Sequence, residues 1–321
     1  MAQPLPGTPT RAYAVGIIHY RNYADLETCL FAVGQQTVLP AAVWVVDADG
    51  DAEALAELRR AHPQVDFEPV PNRGYAAGAN RILARATGHR PPIEFSLLLN
   101  PDVSLEPKFA ESLLASLGSH PDAGLGTGKL LRPDGVTLDS TGIVLPPNRR
   151  PRDRGSEERD RGQYDRPEYV FGASGAAIML RTAALADLAL DGEIFDEDFF
   201  LYHEDTDLCW RSQRLGWRVY YEPRARALHG RGWRREGRFE VPPRVRRHSF
   251  KNHYLQLIKN ESLGGFLLRL PVLLAWEVLR LGHAVLRDRA VLGGYADALR
   301  LARRAFRKRR LLSARVSARG R

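Results

Sequence analysis

Tyr13-Ala14-Val15-Gly16-Ile17-Ile18 is a short, unbroken apolar run, and Ala42-Val43-Trp44-Val45-Val46-Asp47 repeats the pattern and ends on an acid. Runs this short read as strands buried on both faces, and residues 26–36 between them read as a helix. The alternation continues with a helix over 52–61, a strand over 65–70, a Gly-rich turn and helix over 72–86, and the strand Phe95-Ser96-Leu97-Leu98-Leu99. Strands alternating with helices at this spacing predict βαβ units, a mainly parallel central sheet and an α/β fold. In such sheets ligands bind beyond the carboxyl ends of the strands. Asp47 and, in Asn100-Pro101-Asp102, Asp102 fall at those ends and mark a candidate site.

A second informative stretch is Phe199-Phe200-Leu201-Tyr202-His203-Glu204-Asp205-Thr206-Asp207-Leu208-Cys209-Trp210-Arg211. Its carboxylates are flanked by aromatic and aliphatic residues, whereas solvated acidic runs have polar neighbours. The pattern predicts a helix that starts in a cleft, its first-turn acids complementing the helix dipole and Gly216 closing its far end. One of the acids is then placed for proton transfer. Asp207 stands four residues before Arg211, the spacing of a structural ion pair.

Composition bounds the rest. A chain of 321 residues with 44% hydrophobic content can bury an α/β core plus an appendage. Two distant cysteines, Cys29 and Cys209, argue against a disulfide scaffold or cysteine zinc site and for a reducing compartment. Residues 1–10 are Pro-rich, without the apolar core of a signal peptide, so a cytoplasmic location is expected. From Arg224 onward there are 25 Lys+Arg against 6 Asp+Glu, a net +19, while the remainder carries −10. That asymmetry predicts a polyanionic partner for the tail, nucleic acid or anionic lipid.

Residues 148–168 are charged and Gly/Pro-rich and read as a long mobile loop of the kind that forms lids. The run Tyr169 to Leu180 is apolar but broken by Gly172, Ser174 and Gly175, which permit close backbone approach to a ligand. Residues 217–222 read as the last core strand, with His229 soon after. Residues 266–281 are strongly apolar but interrupted by Arg269, Pro271, Glu277 and Arg280. This predicts an interface-lying amphipathic helix rather than a spanning one, with the basic residues 303–310 on anionic headgroups. Packing on the catalytic domain, or a homodimer through these helices, is the alternative.

Taken in order, these elements resemble a family 2 inverting glycosyltransferase of GT-A fold, most similar to the bacterial rhamnosyltransferase-like branch acting on cell-envelope glycans. The resemblance runs from Ala14 to His229. It rests on Tyr20-Arg21-Asn22, Val45-Val46-Asp47, Asn72-Arg73-Gly74-Tyr75-Ala76-Ala77-Gly78-Ala79-Asn80 and Leu99-Asn100-Pro101-Asp102-Val103. Phe171-Gly172-Ala173-Ser174-Gly175, Phe195-Asp196-Glu197-Asp198 and the acidic signature complete it. The chain then divides into a disordered N-terminus over 1–12, a catalytic domain over 13–235 and a helical, basic, membrane-associating extension over 236–321. The resemblance implies a nucleotide-sugar donor, favoured as dTDP-rhamnose, held by Tyr20, Asp47, Asn72, Gly74, Gly78, Asn80, Asn100 and Asp102. It implies a lipid-linked or glycan acceptor at Ser174, Gly175 and Glu204, and a divalent cation, Mn2+ or Mg2+, at Asp102 and His229. Asn100 stands where the family's acid-x-acid motif has its first acid, which leaves Asp102 as the motif's one carboxylate. Asp205 is the implied catalytic base with Glu204 beside it; the residues alone do not separate the two. The enzyme is then peripheral on the inner face of the cell membrane.

Two other classes compete. A nucleotidyltransferase would want a basic Gly-rich loop near the N-terminus, and residues 16–20 offer none. A nucleic-acid-binding protein accounts for the tail's charge but not its long aliphatic runs, so no nucleic-acid partner is expected.

Overall fold

A computed structural model describes residues 11–230 and 241–319. The first ten residues and the domain boundary expected at 235/236 lie outside the described residues. Alternating strands and helices open the chain: β1 (Tyr13–His19), α1 (Tyr23–Gly34), β2 (Ala42–Asp47), α2 (Ala52–Ala61), β3 (Val65–Pro69), α3 (Tyr75–Gly88) and β4 (Phe95–Leu99). Then come β5 (Val103–Leu105), α4 (Phe109–Ser119), β6 (Ala123–Leu131), β7 (Leu138–Ser140), β8 (Ile143–Val144), β9 (Arg152–Asp153) and β10 (Glu168–Val170). β11 (Ala177–Arg181), α5 (Thr182–Leu188), α6 (Glu204–Arg214) and β12 (Arg218–His229) close the sheet, before α7 (Pro243–Asn260), α8 (Leu263–Arg287) and α9 (Gly293–Arg319).

The main sheet runs β10-β12-β6-β11-β4-β1-β2-β3. Its β1–β4 half is parallel, as the sequence predicts. Beyond β4 the directions mix: β11 is antiparallel to both β4 and β6, and β12 is parallel to β6 but antiparallel to β10 and β5. Side chains alternate across each strand. Val15 and Ile17 of β1 therefore enter the layer under α1, α2 and α4, while Ala14 enters the layer shared with α3, α5 and α6.

Two expectations change, and one segment gains definition. The run Tyr169 to Leu180 is two strands, β10 and β11, separated by the turn that carries Ser174 and Gly175. The last strand extends to His229, with a register break between Glu222 and Arg226. Residues 148–168 are not a free lid. β9 pairs with β8, Lys129, almost wholly buried, binds Asp160 at 2.9 Å and also Asp165, and Tyr221 Oη donates to the Tyr164 carbonyl at 2.9 Å. The charges that made this segment look solvated are partners for buried groups of the sheet.

α7 and α9 pack against each other and onto the catalytic half, where Phe199, Leu255 and Ala305 form one buried cluster. Lys308, inside the expected headgroup-facing run, is buried against Glu193, Asp196 and Asp198. Arg304 pairs with Asp198 and Arg307 with Asp191. Much of that basic run thus neutralises the acidic body of the chain itself.

Candidate active site

At the end of β2, Asp47 is fully buried. Its Oδ1 meets His19 Nδ1 at 2.7 Å and accepts from the Asp49 amide at 3.2 Å; its Oδ2 accepts from Tyr23 Oη at 3.1 Å and the Gly50 amide at 3.4 Å. Burial opposes its ionisation, but the His19 bond and the Asp49 amide prevail and hold its pKa below the usual carboxylate range. The carboxylate is thus spent on shaping the rim from beneath. His19 went unnoticed in the sequence, where it looks like the polar end of an apolar strand. Tyr20 next to it is half-exposed, with the Arg21 guanidinium 5.0 Å from its ring centroid.

The Gly-rich turn abuts the acidic segment. Asn72 Oδ1 accepts from the Gly74 amide at 3.0 Å, and Gly74 has φ +88°, with its Cβ direction only 2.2 Å from the Phe200 carbonyl oxygen. Only glycine fits that turn. Gly78 and Asn80 are engaged within the protein. A Cβ on Gly78 would lie 2.8 Å from Ile18, so this glycine seats α3 on β1. Asn80 accepts from the Ile194 and Phe195 amides at 3.1 and 2.8 Å and donates to the Phe195 carbonyl at 2.8 Å, which latches the segment leading to the acids.

After β4, the Asn100 amide donates to the Ala176 carbonyl at 2.9 Å, joining this turn to the one that carries Ser174 and Gly175. From the end of β12, the Gly230 amide donates to the Asp102 carbonyl at 2.7 Å. His229 Nε2 stands 3.4 Å from Asp102 Oδ1, and its Nδ1 is held at 2.7 Å by buried Asp139, which also pairs with Arg132 at 2.9 Å. Burial opposes charge on His229, but Asp102 and Asp139 hold its pKa up at about 9. The structure thus brings together the two residues expected to bind a cation, and a carboxylate behind the imidazole is the usual support of a histidine ligand. No group of three or more His, Cys, Asp or Glu suited to a metal gathers among the described residues. A cation here would draw its other ligands from diphosphate and water.

The acidic signature opens α6 as predicted, and Gly216 follows its end with φ +83°. Asp205 is held by the backbone: its Oδ2 accepts from the Gly175 amide at 3.0 Å, and its Oδ1 from the Thr206 amide at 2.6 Å. Gly175 in turn accepts from Tyr75 Oη at 2.9 Å. Ser174 is buried, its Oγ accepting from the Ala176 amide at 3.4 Å, so it braces this turn. Glu204 is buried, and its Oε2 has no hydrogen-bond partner among the described residues. Burial first, and Asp205 second, push its pKa up to about 8. Burial also raises that of Asp205, which keeps partial exposure to solvent. Geometry therefore separates the two acids: Asp205 is reachable and oriented, while Glu204 sits behind it.

The approach to α6 is strained. Phe200, Tyr202 and His203 have φ of 67°, 69° and 70°, a region costly for residues with a Cβ. α7 holds this turn: Asn252 Nδ2 donates to the carbonyls of Phe199, Leu201 and Tyr202 at 2.9, 2.9 and 2.7 Å. His203 Nδ1 meets Gln256 at 3.0 Å, and burial lowers its pKa to about 4, so it is neutral. Asp207 pairs with Arg211 at 3.2 Å, as its spacing predicts, and also with Lys259 at 2.7 Å and Asn260 at 2.7 Å. Asp196 binds Lys259 and Lys308, each at 2.5 Å; burial opposes its charge, but the two ammonium groups hold its pKa low. None of these α7 and α9 residues was foreseen, because no local pattern links them to the acids they serve.

The family model for glycosyl transferase family 2 matches residues 14–186. The chain belongs to that family. It is a nucleotide-sugar-dependent glycosyltransferase of GT-A fold, as the motifs imply. A curated relative, an N-acetylglucosaminyl-diphospho-decaprenol L-rhamnosyltransferase of Mycobacterium tuberculosis, is 28% identical over 244 residues, covering 68% of this chain and 76% of the relative. Among solved structures, a mannosyltransferase of Pyrobaculum calidifontis in complex with GDP-Man and Mn2+ has TM-score 0.54 at 18% identity, covering 94% of this chain and 79% of that one. TarS of S. aureus, residues 1–349, has TM-score 0.52 at 15% identity, covering 97% and 92%. GalNAc-T7 with UDP, GalNAc and Mn2+ has TM-score 0.58 at 11% identity, and the match covers 78% of this chain but only 48% of GalNAc-T7. At these identities the solved structures speak for the fold. The matched family region ends before Asp205 and the helices that hold it, so this half of the site is read from geometry.

Proposed function

We propose that this family 2 enzyme transfers rhamnose from dTDP-rhamnose, with inversion, to a lipid-linked acceptor glycan of the cell envelope. The observation that carries the mechanism is the reachable Asp205 carboxylate, fixed by the Gly175 and Thr206 amides, with the Gly175 turn hydrogen-bonded to the turn after β4 that carries Asp102. The curated rhamnosyltransferase relative supports the donor sugar and the lipid-linked acceptor. In this reading Tyr20, Asn72, Gly74, Asn100 and Asp102 contact the donor, with Asp47 and His19 supporting them. Gly175 and the acids that open α6 serve the acceptor in the same reading.

In the reaction an acceptor hydroxyl oxygen bonds to the anomeric carbon as the bond from that carbon to the diphosphate breaks, and Asp205 takes the hydroxyl proton. Attack from the face opposite the leaving group inverts the configuration. Glu204, buried and protonated near neutral pH, orients the acceptor through Asp205 beside it rather than serving as the base. Asp102 and His229 fit one divalent cation, which when bound would offset charge on the departing nucleoside diphosphate. The test is a panel of dTDP-, UDP- and GDP-sugars with and without Mn2+ or Mg2+, using a polyprenyl-diphosphate-linked glycan as acceptor. Rhamnosyl transfer from dTDP-rhamnose, with an inverted linkage by NMR, is the expected result; transfer from another donor only would overturn the assignment.

A further inference from the structure

α8 turns its apolar side outward. Arg269, Leu273, Trp276, Glu277, Arg280 and Ala284, which fall on one side of the helix, form its inner stripe, and of the whole helix Ala284 alone is buried. On the outside, Leu268, Val278 and Leu286 are 77%, 71% and 79% exposed, and Phe266, Leu267, Val272, Leu274 and Leu279 are exposed beside them. No helix among the described residues is long and apolar enough to cross a membrane. A two-faced helix of 25 residues, about 37 Å long, instead suits a surface it can lie on.

Charge selects the surface. The carboxylates from residue 261 to 290 are Glu261, Glu277 and Asp288, and each is turned inward, to Arg149, to Tyr254 and Tyr295, and to Arg246 respectively. The exposed charges over the same span are Arg287 and Arg289. The outer face is thus apolar with a cationic end, complementary to anionic headgroups over an acyl layer. The face is also tied to the site. The Arg150 guanidinium lies 5.6 Å from the Trp276 ring of α8, and its neighbour Arg149 lies 5.1 Å from the ring of Trp210 on α6, the helix that begins with the two acids.

We infer that the outer face of α8 docks in the headgroup boundary of an anionic bilayer and so aligns the catalytic opening with an acceptor held in that bilayer. This rests on the lipid-linked reading of the acceptor. The experiment is co-sedimentation of the full chain with phosphatidylglycerol-containing and purely phosphatidylcholine vesicles across a salt series. It is repeated with the triple variant Leu268→Glu, Val278→Glu, Leu286→Glu. Wild type is expected to bind the anionic vesicles more tightly, to weaken but not vanish at high salt, and to lose about tenfold or more in the variant. The variant's melting temperature and donor hydrolysis should stay unchanged, because these side chains touch neither core nor site. Equal binding by the variant would overturn the proposal. So would wild type that ignores vesicles but dimerises in light scattering where the variant is monomeric, since the face would then join two copies. Vesicle binding without rhamnosyl transfer would leave the docking intact and fail only the donor and acceptor assignment.

Discussion

At the scale of single residues, the site depends on two adjacent carboxyls made unlike by their surroundings. Asp205 is reachable and bound by amides, so Asp205→Asn keeps its shape but removes the proton acceptor. Transfer should fall about 10²–10⁴-fold with donor affinity nearly unchanged, read by steady-state kinetics and donor calorimetry. Near wild-type turnover in that variant would move the base elsewhere. Glu204 makes a separate prediction about stability. Its folded pKa of about 8 lies above the ordinary 4.5, so between those values the folded protein keeps a proton that the unfolded chain has lost. Its contribution is therefore full below about pH 4.5 and declines as pH rises to about 8. Thermal melts from about pH 5 to 9 should show wild type falling relative to Glu204→Gln, with the variant the more stable at the alkaline end. Parallel curves would mean that Glu204 ionises normally despite its neighbours Asp205 and Asp207. At the proposed cation site, Asp102→Ala should abolish Mn2+-dependent binding of nucleoside diphosphate, and His229→Ala should weaken it, because two side chains leave little redundancy. Calorimetry with undiminished Mn2+ dependence in the Asp102 variant would remove it as a ligand.

Elements, rather than residues, fix where Asp205 points. The left-handed turn before α6 carries strain that its own sequence does not relieve, and Asn252, Lys259 and Lys308 hold it from α7 and α9. Lys308→Met leaves Asp196 with Lys259 as its remaining ammonium partner, and breaking a buried pair from one side costs about 3–5 kcal/mol. Urea unfolding should show a loss of that size, and a loss under about 1 kcal/mol would mean that the pair behaves as a surface one. Some of this level was legible beforehand. The strand-helix alternation, the start of α6, the Asp207–Arg211 pair and Gly216 at the helix end all follow from local periodicity and spacing. The order of residues 148–168 was not, because a charged loop and a loop whose charges meet buried partners have the same composition.

For the whole molecule, charge asymmetry has a different meaning from the one the sequence suggests. The +19 tail was expected to lie on headgroups. The structure returns α9 to the acidic body, with Lys308 buried against Asp196 in the segment that leads to Glu204 and Asp205. Truncation after Asn260 is therefore expected to abolish donor hydrolysis and lower the melting temperature, whereas changes confined to the outer face of α8 do neither. A truncated protein that hydrolyses donor at the wild-type rate would show that α9 is dispensable to the site. By itself the sequence determined the α/β fold, the family, the strand-end position of Asp47 and Asp102 and the amphipathic character of α8, because each is encoded in contacts between near neighbours or in period and order. Only the tertiary structure decided which acid is reachable, that His229 faces Asp102 with Asp139 behind it, and that α7 and α9 hold the turn before α6. Those outcomes depend on burial and on pairs far apart in the chain, which a linear pattern does not record.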